Sequence, residues 1–152
     1  MDKYIGFKII EAEKMNLYEY CMNVKGRDCK EENEEGYKVV YDNGYTSWSP
    51  KDVFEKAYLK VSPNPKLKTN VSISQDMVDN FIKEIHISTV GEKTTLVRVV
   101  LVNGFEIIES SACVDKANYN EEIGAECCID KIKDKIWFLL GFLLQTAVNG
   151  IK

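Results

Sequence analysis

Apolar and polar residues alternate with period two in two stretches of this chain, and an Asn-Gly pair interrupts each. The first stretch is Tyr37 to Ser49, YKVVYDNGYTSWS, and the second is Thr94 to Ser111, TTLVRVVLVNGFEIIESS. An Asn-Gly pair between apolar runs predicts a β-hairpin closed by a two-residue type I′ turn, whose central residues both need positive φ. Such a turn places Tyr41 opposite Thr46 and Val39 opposite Trp48 in the first hairpin. In the second it pairs Val102 with Phe105, Val100 with Ile107 and Arg98 with Glu109, all on one face. The other face carries Val97, Val99, Leu101 and Ile108, so both sides of this ribbon are largely apolar and at least one must be covered.

A period of 3.6 marks the helices. Asn16 can cap a short helix carrying Leu17, Tyr20 and Cys21, after a plausible strand from Ile5 to Ala12. Ser49 and Pro50 read as an N-cap followed by proline at the first helical position, with Val53, Phe54 and Ala57 on one face. Ser74 precedes QDMVDNFIKEI, in which Met77, Val78, Phe81 and Ile82 recur at helical spacing, and a strand through Ile85 to Val90 follows. From Asn120 to Val148 a helical region sets Ile123, Cys127, Ile132, Ile136 and Leu140 on one stripe. From Ile136 onward it has almost no polar face, so a subunit interface is the expected cover, with Gly141 allowing close approach or a bend. The stretch VSPNPKLKTN holds two of the three prolines and no periodic pattern, which is how a linker reads. The expected organisation is therefore a small β-hairpin and helix module over 1–61, a linker over 62–70, and a second domain over 71–152. The fold class is α+β, with a small antiparallel sheet packed by C-terminal helices.

Composition narrows the function. The 45% hydrophobic content over 152 residues is that of a globular protein. A net charge of −4 argues against a chain that coats DNA, because neutralising phosphates needs clustered Lys and Arg. The run IWFLLGFLLQTAV falls short of the ~20 residues that span a bilayer, so no membrane segment is expected. Five cysteines without C-x-x-C spacing support neither a zinc site nor a disulfide framework; with no signal peptide, reduced cytosolic thiols are expected. His86 lies in an alternating run and reads as a strand residue rather than a general base. The acidic run Glu31, Glu32, Glu34, Glu35 reads as a solvated loop.

No phosphate loop, nucleophile elbow or paired His is present, so binding is expected rather than catalysis, without cofactor or metal. Arg98, one of two arginines, either pairs with Glu109 across the strands or grips a phosphate with its planar guanidinium. Phe105, leaving the turn on the face assigned to Arg98, is either core or a platform for a planar base. In the second case Ser110, Ser111 or Asp115 would supply hydrogen bonds to sugar hydroxyls or the base edge. Trp48 and Tyr45 offer a similar aromatic surface in the first module, where packing against the following helix is the expected use.

The series VLVNGFEIIESSACVD, NYNEEIG and DKIKDKIWFLLGFLL, from about Ser74 to Ala147, resembles a family of small phage and prophage proteins. Members carry an Asn-Gly-Phe turn, a Glu-Ser-Ala-Cys-like segment, a helix start ending in Glu-Ile-Gly and a Lys-Ile-Trp helix. The architecture is similar to that of the first-described Thoeris anti-defence proteins, phage sponges that bind cyclic ADP-ribose isomers made by bacterial TIR enzymes. The first module resembles one found in front of several small phage proteins, other nucleotide sponges among them. The resemblance implies a non-catalytic anti-defence protein in the cytoplasm of the infected bacterial host. It would sequester a nucleotide signal with Phe105, Arg98, Asn103, Ser110 and Asp115, as a dimer or hexamer joined through its C-terminal helix. Two departures stand out: Gly124 is followed by Ala125, Glu126, Cys127 and Cys128 where basic residues are usual, and Leu140 precedes Gly141 where an acid is usual. The competing expectation is a protein-binding module that docks Trp48, Tyr45 and the apolar helix onto a host or phage protein.

Overall fold

A computed structural model describes residues 1–28 and 33–152. The part of the charged loop holding Cys29, Glu31 and Glu32 lies outside the described residues. The fold is α+β, and the chain divides into two compact units, Met1–Lys60 and Val61–Lys152.

The first unit is a three-stranded antiparallel sheet of β1 (Glu11–Lys14), β2 (Gly36–Val40) and β3 (Thr46–Pro50), in that order. Between β1 and β2 lies α1 (Leu17–Tyr20), which runs into a π-helical turn, Cys21–Lys25. Asn16 caps α1 as its sequence predicts, in a reciprocal capping box with Glu19. The strand expected over Ile5 to Ala12 is displaced to Glu11–Lys14. After β3, α2 (Lys51–Ala57) starts one residue later than expected, with Pro50 at the N-cap. Its Phe54 stacks between Tyr37, 4.1 Å away, and Tyr58, 4.9 Å away. Trp48 packs over Gly36, where a Cβ would meet the indole at 2.3 Å, and its Nε1 donates to the Met15 carbonyl at 2.8 Å. Cys21 is buried and disulfide-bonded, against the expectation of reduced thiols throughout, whereas Cys113, Cys127 and Cys128 are free.

The second unit holds α3 (Gln75–Asn80), then β4 (Ile82–Val90), β5 (Thr94–Leu101) and β6 (Glu106–Ala112), and finally α4 (Glu121–Asn149). The sheet is antiparallel with β5 in the centre. The α3 helix is capped by Ser74 but ends before Phe81, whose carbonyl accepts from Val102 N at 3.0 Å and draws the chain into the sheet. Along β5, Thr95, Val97, Val99 and Leu101 are buried, while Leu96, Arg98 and Val100 are half-buried on the opposite face. Ala125, Cys128, Ile132, Ile136 and Leu140 of α4 bury the first set, with Ile107 of β6 and Met77 and Val78 of α3 completing the core. Their 3–4 residue spacing is the apolar stripe of a helix laid on a sheet. The stretch over 62–70 forms no helix or strand, and the preceding Val61 packs on this core.

Both Asn-Gly turns differ from the type I′ expectation in the same way. Gly104 N donates to Leu101 O at 2.9 Å and Leu101 N donates to Phe105 O at 2.8 Å, so three residues close the loop. Tyr41, Gly44 and Tyr45 repeat the pattern. Only the glycines take positive φ, 80° at Gly44 and 83° at Gly104. Each Asn instead keeps negative φ and accepts from the amide two residues on, Asn43 from Tyr45 at 3.0 Å and Asn103 from Phe105 at 3.1 Å. An Asx side-chain bond therefore selects a type I turn followed by a left-handed glycine. The register moves by one residue: Lys38 faces Trp48, Arg98 faces Ile108 and Val97 faces Glu109. That slip exchanges faces, and Phe105, Ile107 and Glu109 lie on the α4 side of the sheet, away from Arg98.

Candidate functional site: an aromatic groove beside the second hairpin

The register slip places Phe105 across from Leu101, on the side of the sheet that α4 covers. There β6 and α4 leave a shallow groove of about 350 Å³, walled by Phe105, Glu106, Ile107 and Ile108 on one side and by Lys135, Phe138 and Leu139 on the other. Phe105 is 56% exposed and Phe138 76% exposed, so two aromatic rings face solvent where a buried core was an equal expectation for Phe105. The Lys135 ammonium at the groove wall bonds the Glu109 carboxylate, and that hydrogen bond holds Glu109 below the usual carboxylate range. One rung along the helix, Lys131 Nζ donates to Ser110 O at 3.3 Å. The groove therefore offers two aromatic faces, a lysine that is paired with Glu109, and Glu106, which is paired with Arg98. The rings suit a planar group, and an anionic ligand would have to displace Glu109 from Lys135.

The five residues expected to share a pocket fall in three places within one chain. Asn103 and Phe105 stand together at the turn, where Asn103 orients the Phe105 amide. Arg98 and Ser110 lie on the opposite face of the sheet. Arg98 pairs there with Glu106 at 2.6 Å rather than with Glu109, beside a His86–Glu84 pair at 3.0 Å. Asp115 lies past the far end of β6, a strand length of roughly 20 Å from the turn at ~3.3 Å per residue. Its carboxylate caps a short 3-10 turn, Lys116–Asn118, by accepting from Ala117 N at 2.9 Å. Sequence reasoning missed Lys135, Phe138 and Leu139 as groove residues. The available signal for Phe138 and Leu139 is the absence of a polar face at 136–144, which predicts an apolar surface without placing β6 beside it; nothing in the pattern singles out Lys135.

A second hollow, of about 470 Å³, lies in the first unit beside the Asn43 turn. Lys8 Nζ sits 4.3 Å from the centre of the Tyr41 ring, which stacks on Tyr45 at 5.7 Å. Trp48, by contrast, is committed to Gly36 and Met15. Among the described residues no cluster of three His, Cys, Asp or Glu side chains could hold a metal, and no helix is long and apolar enough to cross a membrane.

No curated protein and no solved structure matches the chain. A family model does match, over residues 73–148, which is half of the chain and runs from the residue before the α3 cap almost to the end of α4. All three strands of the second sheet, the groove and all but the last residue of the long helix fall inside the match. This chain belongs to the phage protein (N4 Gp49/phage Sf6 gene 66) family.

Proposed function

We propose that this phage protein is an anti-defence sponge, which binds a nucleotide immune signal in the Phe105 groove and holds it without cleavage in the cytoplasm of the infected host. The observation that carries the reading is the pair of exposed rings, Phe105 and Phe138, flanking a groove with a lysine at its wall. A base stacked on an aromatic ring gains about 1–3 kcal/mol, and a lysine freed from its carboxylate can meet a phosphate. The signal would be a cyclic ADP-ribose isomer or a cyclic oligonucleotide. Since Arg98 faces away from Phe105, the phosphates are met by Lys135 or by a cation of a neighbouring subunit. A homo-oligomer, dimer or hexamer, joined through α4 would supply that neighbour and cover Phe138 and Phe142. Catalysis is not required: with sites in excess and a dissociation constant of about 10 nM, near −11 kcal/mol, free signal falls by mass action.

The test is Phe105→Ala, with Phe138→Ala as its partner. Each is expected to weaken nucleotide binding by about 10- to 100-fold, the loss of one stacked base, with an unchanged circular dichroism spectrum. A folded Phe105→Ala protein of unchanged affinity removes the groove from the reading. The second reading, a protein-docking module, is favoured by one observation: the apolar surface continues past the groove to Phe142, 69% exposed one helical turn beyond Phe138. A stoichiometric host protein recovered with the chain, and no small molecule released from it, would support that alternative.

A further inference from the structure

The outer edge of the second sheet carries a pattern that the groove does not use. Strand β4 is nine residues long, longer than the usual five or six, and pairs on one side only, with β5. Proteins ordinarily blunt such an edge with charged side chains, above all lysine, with proline, a bulge or shortness, or with a covering helix or loop. Here the ladder shifts register between Ile82 and Glu84, which takes Lys83 out of it, and the remaining seven residues, Glu84 to Val90, run without interruption. They contain no proline and no lysine, and their one acid, Glu84, stands at the end of the segment and is hydrogen-bonded to His86. Ile85 and Ile87 stand opposite Val99 and Val97, on the α4 side of the sheet, yet remain 45% and 46% exposed. The opposite edge is different: the Ser110 carbonyl of β6 already accepts from Lys131.

We infer that β4 is a self-pairing edge, on which β4 of a second copy docks antiparallel about a two-fold axis midway between the two copies of Ile87, joining two three-stranded sheets into one of six strands. The register follows from the strand itself. An antiparallel pair keeps opposed side chains on one face, so the two-fold axis must run midway between the two copies of one residue. Only an axis at Ile87 pairs the whole uninterrupted segment, Glu84 to Val90, with itself. That register sets Ile87 against the partner's Ile87 and Ile85 against the partner's Thr89, covering the exposed isoleucines. On the other face it sets His86 against the partner's Ser88 and Glu84 against the partner's Val90. No two like charges are opposed, as a stable cross-strand set requires. This contact is separate from α4 and does not depend on nucleotide binding.

Disulfide trapping in the full chain tests it, in a background carrying Cys113→Ser and Cys127→Ser. Opposed Cα atoms in an antiparallel ladder lie ~4.5–5.5 Å apart, within the range a disulfide spans. Ile87→Cys is therefore expected to form a covalent dimer under mild oxidation. Ile85→Cys is expected to remain monomeric on a denaturing gel, because the two copies of position 85 stand roughly 14 Å apart. In sedimentation, Ile87→Lys is expected to halve the particle mass while leaving the circular dichroism spectrum unchanged. Equal cross-linking at both positions, a parent protein that sediments as a monomer, or an Ile87→Lys protein of parental mass would overturn the inference. The last result, together with a mass halved by Phe142→Glu, would assign association to α4 alone.

Discussion

A methyl group added at position 124 would sit 2.1 Å from Thr95 Oγ1 and 2.7 Å from its Cβ, so at Gly124 α4 approaches Thr95 too closely for any side chain. Thr95 is fully buried, and its hydroxyl meets the Tyr119 hydroxyl at 3.0 Å, which in turn meets Thr89 at 2.7 Å. Glu121 also accepts from Thr89, and Asn120 caps the helix by accepting from Ile123 N at 3.1 Å. The segment NYNEEIG is thus a docking device, each of its polar side chains from Tyr119 to Glu121 having a partner. Gly124→Ala is expected to cost about 1–3 kcal/mol through overpacking, and Asn120→Ala about 1 kcal/mol through loss of the cap, both read from chemical denaturation. The Asn120 cap was legible in the sequence because capping is local. The partner of Gly124 was not, because Thr95 lies 29 residues away in the chain. Gly141, expected to allow close approach at a subunit contact or a bend, meets nothing within 4 Å in the single chain.

Two ion pairs clamp the flanks of α4, Lys133 to Asp79 of α3 at 2.8 Å and Lys135 to Glu109 of β6. Hydrogen bonds from these lysines lower the carboxyl pKa values of Asp79 and Glu109 below their ordinary range. A carboxylate with a lowered folded-state pKa stabilises the fold above the unfolded-state value, and that contribution is lost as pH falls through the lowered one. Thermal melting is therefore expected to be insensitive to these pairs between pH 7 and about 5, and to fall below about pH 4. In a Lys133→Ala and Lys135→Ala double variant the acid decline should be shallower; an identical decline would show that other carboxylates cause it. At this scale both hairpins are legible from the Asn-Gly pairs between alternating runs, and the long helix from its periodicity. The sequence misplaced the hairpin register by one residue, because Asn-Gly suits both a two-residue turn and the three-residue turn with an Asx bond that forms. That single residue decided which face Phe105 and Glu109 occupy, and so separated Phe105 from Arg98.

In the assembled second unit, one face of the sheet is closed by α4 and the other, with Leu96, Arg98 and Val100, is only half-buried. The helix itself exposes Phe138 and Phe142, a surplus of apolar surface that a lone chain does not use. On the sponge reading this surplus meets a neighbouring subunit, and the site is completed across that contact. Phe142→Glu is then expected to reduce both particle mass and nucleotide retention, whereas a folded monomer that still retains ligand would place the whole site within one chain. The measurement that tests the central claim most directly is ligand capture. The purified protein is incubated with cyclic ADP-ribose isomers and cyclic di- and trinucleotides, freed of unbound ligand and heat-denatured, and the released compound is identified by mass spectrometry. The account predicts release of one compound, intact, from the parent protein and its loss from Phe105→Ala. Release of nothing from either, or of a cleaved product, would contradict it.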